Sequence, residues 1–403
     1  MKNNKTIKEN FDFAFENHKK NNLEIAGKIY KKILEEDPNH FPSTVLLGTL
    51  SEQTKNFDLA KQLLEKGIKI NPNRPEAYYN LGLIYNELVD FEKAISCYEK
   101  AIKINPNYAE AYNNLGNSYK GLKNFEKAIT YYEKAIKIKS DYADAYNNLG
   151  IAFKSLGNDQ EAINCYKKTI QLEPNHPEAH YNFAIVLKEW GEELQAITYY
   201  EKAVKINPNY ADAYNNLGNC YKDFGDFQKA INCYEQAIKS QPGNLAYFYL
   251  LSDLKKEILN PNLKNSIEKI INGNYCIKRN MAFGNFLLAR YENKEKNYEK
   301  EINYLIKAHA YYFELKKEKF TRQIKHFFDV LPNANELINL NKSNKTIKKN
   351  NHEIKPIFII GVPRCGSTLI EKIIASGSKY MPIGEETSIL DVFMQQKIQK
   401  KQL

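Results

Sequence analysis

The sequence predicts a mostly α-helical solenoid that leads into the front part of an α/β fold, and three observations carry that expectation. A 34-residue period governs residues 7–244. Tyr (29) and Phe (20) supply all but one of the aromatic residues, which points to a repeated slot filled by rings. Near the C-terminus a short β-branched run enters a glycine-bearing turn and then a stretch of helical spacing.

The period is visible as columns. Gly48, Gly82, Gly116, Gly150 and Gly218 share one grid, with Ala14 and Ala184 at its two other nodes, and twelve residues after each node stands Ala26, Ala60, Ala94, Ala128, Ala162, Ala196 or Ala230. Four residues further on come Tyr30, Leu64, Tyr98, Tyr132, Tyr166, Tyr200 and Tyr234. Pro closes six units, at Pro38, Pro72, Pro106, Pro174, Pro208 and Pro242, and Ser140 closes the other. In the unit from Pro75 to Tyr108, the residues Tyr78, Leu81, Gly82 and Tyr85 fall on one helical face, which predicts two antiparallel helices per unit. The small residues Gly82 and Ala94 let the two backbones approach, and Pro106 stops the second helix because it has no N–H and bars helical geometry at the preceding residue. Stacked units contact only their neighbours, so stability is a sum over units and interfaces.

The pattern Tyr78-x2-Leu81-Gly82-x2-Tyr85…Ala94-x3-Tyr98…Pro106 resembles the tetratricopeptide repeat (TPR), and seven such repeats cover residues 7–244. The resemblance implies an α-solenoid superhelix whose first helices line a concave groove. One column, Asn80, Asn114, Asn148, Asn182 and Asn216, is polar with no evident packing reason. An even row of amides offers donors and acceptors to a bound backbone. The row is similar to the asparagine ladder in the TPR array of O-linked GlcNAc transferases, which implies a peptide or protein partner in the groove.

No run approaches the roughly 20 apolar residues of a membrane span, and the N-terminal stretch has no apolar signal core, so the default expectation is the cytoplasm. Six Cys without a CxxC pair match neither a disulfide scaffold nor a zinc site. Cys97, Cys165 and Cys233 lie 68 residues apart at equivalent second-helix positions, where they read as packing residues. The net charge of +10 is confined to the C-terminal part: residues 245–403 carry +11 and residues 1–244 carry −1. No nucleic-acid recognition motif accompanies it.

Residues 245–340 lose the strict grid but keep helical patterning, as a degenerate cap or connector in which Phe283 to Ala308 reads as one further helical pair. Residues 341–355 are polar, basic and aperiodic, the pattern of a linker. From 356 the chain changes character. Pro356 to Ile360 suits a buried parallel strand, Gly361-Val362-Pro363-Arg364-Cys365-Gly366-Ser367-Thr368 forms the turn, and Leu369 to Ala375 has helical spacing. Backbone N–H groups at such a turn and helix start converge on an anion. Ser367 stands where a nucleotide-hydrolase loop would place Lys, and Arg364 can supply the missing cation through two-pronged hydrogen bonding. No Asp follows at a spacing for magnesium, which points to metal-free chemistry.

This element resembles the 5′-phosphosulfate loop of sulfotransferases that use PAPS (3′-phosphoadenosine 5′-phosphosulfate). Gly384-Glu385-Glu386-Thr387 is similar to the motif that follows the loop in tyrosylprotein sulfotransferases, although Ser388 replaces the Arg expected next. The resemblance implies a TPR-containing sulfotransferase in which Arg364, Cys365, Gly366, Ser367 and Thr368 bind the PAPS co-substrate and Glu386 takes the proton of a hydroxyl acceptor. From Ile357 only 47 residues remain, so residues 356–403 are expected to be a P-loop-like α/β fragment that is inactive alone. The alternative expectation is a non-catalytic TPR scaffold.

Overall fold

The computed structural model describes residues 2–273 and 276–330, and every described element is helical, with no strand among them. Fourteen helices form seven antiparallel hairpins in chain order: α1 (Lys2–Lys19) with α2 (Leu23–Glu36), α3 (Phe41–Gln53) with α4 (Phe57–Ile70), α5 (Pro75–Glu87) with α6 (Phe91–Ile104), α7 (Ala109–Gly121) with α8 (Phe125–Ile138), α9 (Ala143–Ser155) with α10 (Asp159–Leu172), α11 (Pro177–Glu189) with α12 (Glu193–Ile206), and α13 (Ala211–Asp223) with α14 (Phe227–Ser240). The shorter α15 (Leu245–Leu254) packs on α14 and ends in a single 3₁₀ turn, and α16 (Pro261–Ile271) follows. The chain divides into two compact units at residues 263 and 264.

The repeated columns build the hairpins. An added Cβ on Gly82, Gly116 or Gly150 would stand 2.6 Å from a ring carbon of Tyr98, Tyr132 or Tyr166, so at these nodes the first helix rests directly on the ring. The Ala column is fully buried throughout, and Tyr98, Tyr132, Tyr166, Tyr200 and Tyr234 are buried with it. A buried phenol needs a partner for its hydroxyl. Tyr132 and Tyr234 donate to Oδ1 of Asn117 and Asn219, each at 2.8 Å, and Tyr98 accepts from Asn86 at 3.3 Å. The seams closed by Tyr98, Tyr132 and Tyr234 thus each end in a hydrogen bond to an Asn of the first helix.

Local chemistry sets the turns. Asn56, Asp90, Asn124 and Asp226 cap second helices by accepting the backbone N–H three residues on. The residue before each of these caps, like its counterparts in the other repeats, turns the chain with positive φ: Asn21, Lys55, Val89 and Lys123 near +60°, then Gly157, Gly191 and Gly225 near +80°. Between repeats, Asn105 and Asn207 accept the N–H two residues on, at 3.1 Å, so the Asn-Pro-Asn sequence closes an Asx turn where the helix stops.

Each second helix also packs on the next first helix. The first helices α3, α5, α7, α9 and α11 additionally touch one another in succession, across the intervening second helices. These mutual contacts mark them as the more closely spaced, inner layer of the solenoid, the layer that the TPR resemblance implies. The free thiols of Cys97, Cys165 and Cys233 are buried, and burial raises their pKa values to about 11, 12 and 12.

In the second unit α17 (Lys278–Lys294) and α18 (Tyr298–Val330) pair as a hairpin around Lys296, which has φ +60°. Glu292 is 3% exposed and accepts from Lys264 at 2.7 Å, which satisfies an otherwise costly buried carboxylate. Residues 331–340, the basic stretch 341–355 and the expected α/β fragment 356–403 lie outside the described residues.

Candidate functional site

The inner layer carries its polar groups in two adjacent columns. Asn80, Asn114, Asn148, Asn182 and Asn216 stand half-buried on α5, α7, α9, α11 and α13. Immediately before them in sequence are Tyr79, Asn113, Asn147, Tyr181 and Asn215. The structure joins the columns across repeats. Asn114 Nδ2 donates to the Tyr79 hydroxyl at 2.9 Å, Asn148 to Asn113 Oδ1 at 3.1 Å, Asn182 to Asn147 Oδ1 at 3.1 Å and Asn216 to the Tyr181 hydroxyl at 3.2 Å. Every bond spans 35 residues, one repeat plus one position.

The asparagine row therefore has a packing reason that its sequence spacing alone does not reveal. Asn113 and Asn147 are 5% and 7% exposed, so each needs a partner for its carbonyl oxygen, and the next repeat supplies one. The ladder stops where its chemistry stops. Asn80 faces Val45 at the equivalent offset and has no side-chain partner among the described residues. At the other end, position 250 is Leu, and Asn215 Oδ1 is left buried and unpaired.

At Asn114, Asn148 and Asn182 stapling uses one of the two amide hydrogens and leaves the second without a protein acceptor among the described residues. Acceptor capacity varies along the row. Asn114 Oδ1 accepts from Asn117 at 3.3 Å and Asn216 Oδ1 from Asn215 at 3.2 Å, whereas Asn182 Oδ1 has no protein donor among the described residues. An open cleft of about 420 Å³ lies beside the row, lined by Ile185, Lys188, Glu189, Tyr200 and Asn216.

A third column, Asn86, Lys120, Lys154, Lys188 and Lys222, runs along the same helices. Lys154 pairs with Glu189, Lys188 with Asp223 at 3.0 Å, and Lys222 with Asp253 at 3.1 Å. Asn86 Oδ1 accepts from Ser118 at 2.8 Å. Lys120 differs: the residue 35 positions on is Ser155, and its ammonium donates only to Asn148 Oδ1, at 3.3 Å. Burial with no carboxylate to offset it lowers the Lys120 pKa below the usual lysine value. Among the described residues of this column, Lys120 is the half-buried ammonium without a carboxylate partner.

The sequence singled out the asparagine column but missed its acceptors and the lysine column. The signal was present: the residue before each column Asn is Tyr or Asn in every case, a side chain able to accept a hydrogen bond. The other sequence-derived site residues, Arg364, Cys365, Gly366, Ser367, Thr368 and Glu386, lie outside the described residues. Among the described residues no group of three or more His, Cys, Asp or Glu is placed to hold a metal ion, and no helix is long and apolar enough to cross a membrane.

Profiles of the tetratricopeptide repeat match residues 75–108 and 211–244, 107–172 and 141–208, and 19–82, and a TPR repeat profile matches 194–225. Together they run without a gap from residue 19 to 244, more than half of the chain. An uncharacterised protein of Aquifex aeolicus (strain VF5) is 29% identical over 119 residues, 30% of this chain but only 15% of that protein's length. A tetratricopeptide repeat protein from Parabacteroides merdae ATCC 43184 shares the fold at 19% identity and a TM-score of 0.51, over 62% of this chain and 99% of that one. The crystal structure of MamA matches at 32% identity and a TM-score of 0.37 over 40% of this chain and 94% of its own. YrrB, described as a TPR protein with an unusual peptide-binding site, matches at 25% identity and 0.37 over 48% and 97%.

Proposed function

We propose, from the premise that the chain belongs to the tetratricopeptide repeat family, that it is a binding protein whose inner helix layer holds an extended segment of a partner protein. The observation that carries this reading is the half-used asparagine ladder. The amides of Asn114, Asn148 and Asn182 are each fixed by a bond to the preceding repeat, so little side-chain freedom is lost when the second hydrogen meets a peptide carbonyl. Asn80 and Asn182 add unpaired acceptors for peptide N–H groups. Solenoids of this kind use extended surfaces built from successive repeats.

Lys120 gives the groove a chemical preference. An ammonium held half-buried beside Asn148 gains most from a carboxylate, so the segment bound there carries an Asp, a Glu or a free C-terminus at that register. The test is binding of an immobilised library of extended acidic peptides to the whole protein, followed by calorimetric titration of the best binder. Lys120→Ala is expected to weaken it by about tenfold to a hundredfold, the range of one charge-assisted hydrogen bond. Unchanged affinity in Lys120→Ala and in Asn182→Ala would place the partner elsewhere.

A second reading rests on a different observation, the strand-turn-helix pattern with Gly384-Glu385-Glu386-Thr387 behind it. Under it, Arg364, Cys365, Gly366, Ser367 and Thr368 hold the PAPS phosphosulfate, Glu386 accepts the proton of the acceptor hydroxyl, and the repeats deliver a protein substrate. Titration with 3′-phosphoadenosine 5′-phosphate decides it: saturable binding lost in Arg364→Ala supports the transferase, and no binding leaves the scaffold.

A further inference from the structure

The turns between first and second helices put an apolar residue at the surface in five successive repeats, Leu88, Leu122, Leu156, Trp190 and Phe224, each about 40–50% exposed. Four of these fit the bland role of a partly covered helix end. Trp190 does not, because three further features gather around it. Leu194, four residues on in α12, is 71% exposed. Asp159, the first residue of α10, accepts from the indole Nε1 at 3.1 Å and from Lys154 at 3.1 Å, so the ring is held by its N–H edge while the residue stays half-exposed. The surrounding charge is net acidic: Asp159, Glu161, Glu189, Glu192 and Glu193 stand against Lys154, which is itself paired with Asp159 and Glu189, and Lys188, which is paired with Asp223.

We propose that Trp190, Leu194 and Leu156 form a second docking surface, for a basic amphipathic segment of a partner protein. It lies on the turn edge of the repeats and does not rest on the inner-layer reading. A fixed, half-exposed indole is the side chain that most often dominates a protein interface, since its area is large and little freedom remains to be lost. Aliphatic side chains of the partner cover the ring and Leu194, while its lysines or arginines meet the carboxylates and the exposed part of the ring. The sign of the charge selects the partner. Residues 1–244 carry −1 in total, so this turn is a local concentration of negative charge on a nearly neutral repeat array. The equivalent turn at Leu122 is flanked by Lys120, Lys123, Glu126 and Lys127 and offers the opposite field.

Trp190 is the only tryptophan of the chain, so its emission reports this surface alone. The whole protein is titrated with an amphipathic helical peptide of Leu and Lys, and in parallel with a peptide of the same pattern in Leu and Glu. A saturable blue shift with the Lys peptide alone is expected. That shift should weaken about tenfold or more in the double variant Glu192→Lys, Glu193→Lys and in high salt, and persist in Lys120→Ala. An equal shift with both peptides, a shift that survives charge reversal, no shift at all, or one produced by raising the protein concentration without peptide would each overturn the proposal.

Discussion

The fourth and sixth repeats follow the same 34-residue grid and solve their packing differently. In the fourth, α7 rests Gly116 directly on the Tyr132 ring, and Tyr112 occupies the column position four residues earlier. In the sixth, α11 carries Ala184 at the glycine node, with Tyr200 still buried behind it, and His180 replaces the tyrosine. Both hairpins form. The grid therefore fixes which positions face each other, while the side chains that fill them vary from repeat to repeat. Stability in such a chain is local, and so are the consequences of a substitution.

The largest effect is expected at the glycine node. Gly116→Ala places a methyl 2.6 Å from a Tyr132 ring carbon, so the ring or the helices must shift, at a cost of about 1–3 kcal/mol seen as a lower urea midpoint. The reverse exchange, Ala184→Gly, should also destabilise, by about 1 kcal/mol, because it removes a buried methyl from a helix interior. If Gly116→Ala were neutral, the close approach would not be limiting.

The turns give the next effect, with the sign reversed. The fifth to seventh repeats place Gly157, Gly191 and Gly225 at the left-handed position, where the third places Val89, a β-branched residue held at φ +61°. Val89→Gly should stabilise by about 1 kcal/mol, and Gly157→Ala should destabilise by a similar amount, although nothing lies within 4 Å of the added Cβ. Thermal melts of the two variants should move in opposite directions.

The smallest effect separates the repeats by pH. His180 is 3% exposed, its Nε2 donates to the Pro174 carbonyl at 2.8 Å, and its Nδ1 is buried without a partner, so burial lowers its pKa. The unfolded chain takes up that proton from about pH 6.5 downward and the folded chain resists it, so stability is lost as pH falls below about 6.5. His176 works in the opposite sense. The Asp144 carboxylate, 3.3 Å away, raises its pKa, so its contribution is present below about pH 6.5 and fades as pH rises through the raised value. His180→Tyr restores the tyrosine of the third, fourth, fifth and seventh repeats and should remove the acid loss; because His176 is present in both proteins, the variant should gain stability relative to wild type as pH falls across the range around ~6.5. Parallel curves for variant and wild type across that range would contradict this assignment.

The contrast also shows what the sequence could and could not disclose. Hairpins, their boundaries and the buried Ala and Tyr columns follow from the period, because burial of the same face in every unit leaves the same residue types at the same offsets. Partner identity is harder to read. The bond from Asn148 to Asn113 joins side chains in different repeats, and it becomes visible only when two neighbouring columns are compared at a 35-residue offset. Position 89 was illegible for another reason: Val gives no hint of a left-handed turn, which only the glycines of later repeats reveal. The exposure of Trp190 and the missing anion at Lys120 depend on which charged side chains approach, a matter of geometry.

The central claim is that the asparagine column staples one repeat to the next and, so fixed, faces the partner. A double-mutant cycle on Asn147 and Asn182, with each replaced by Leu singly and together, tests it most directly. Removing Asn182 alone leaves the buried Asn147 oxygen unpaired and should cost about 1–3 kcal/mol, while the double variant should recover part of that loss, giving a coupling of about 1 kcal/mol. Additive losses, with no recovery in the double variant, would contradict the stapled ladder and the binding face built on it.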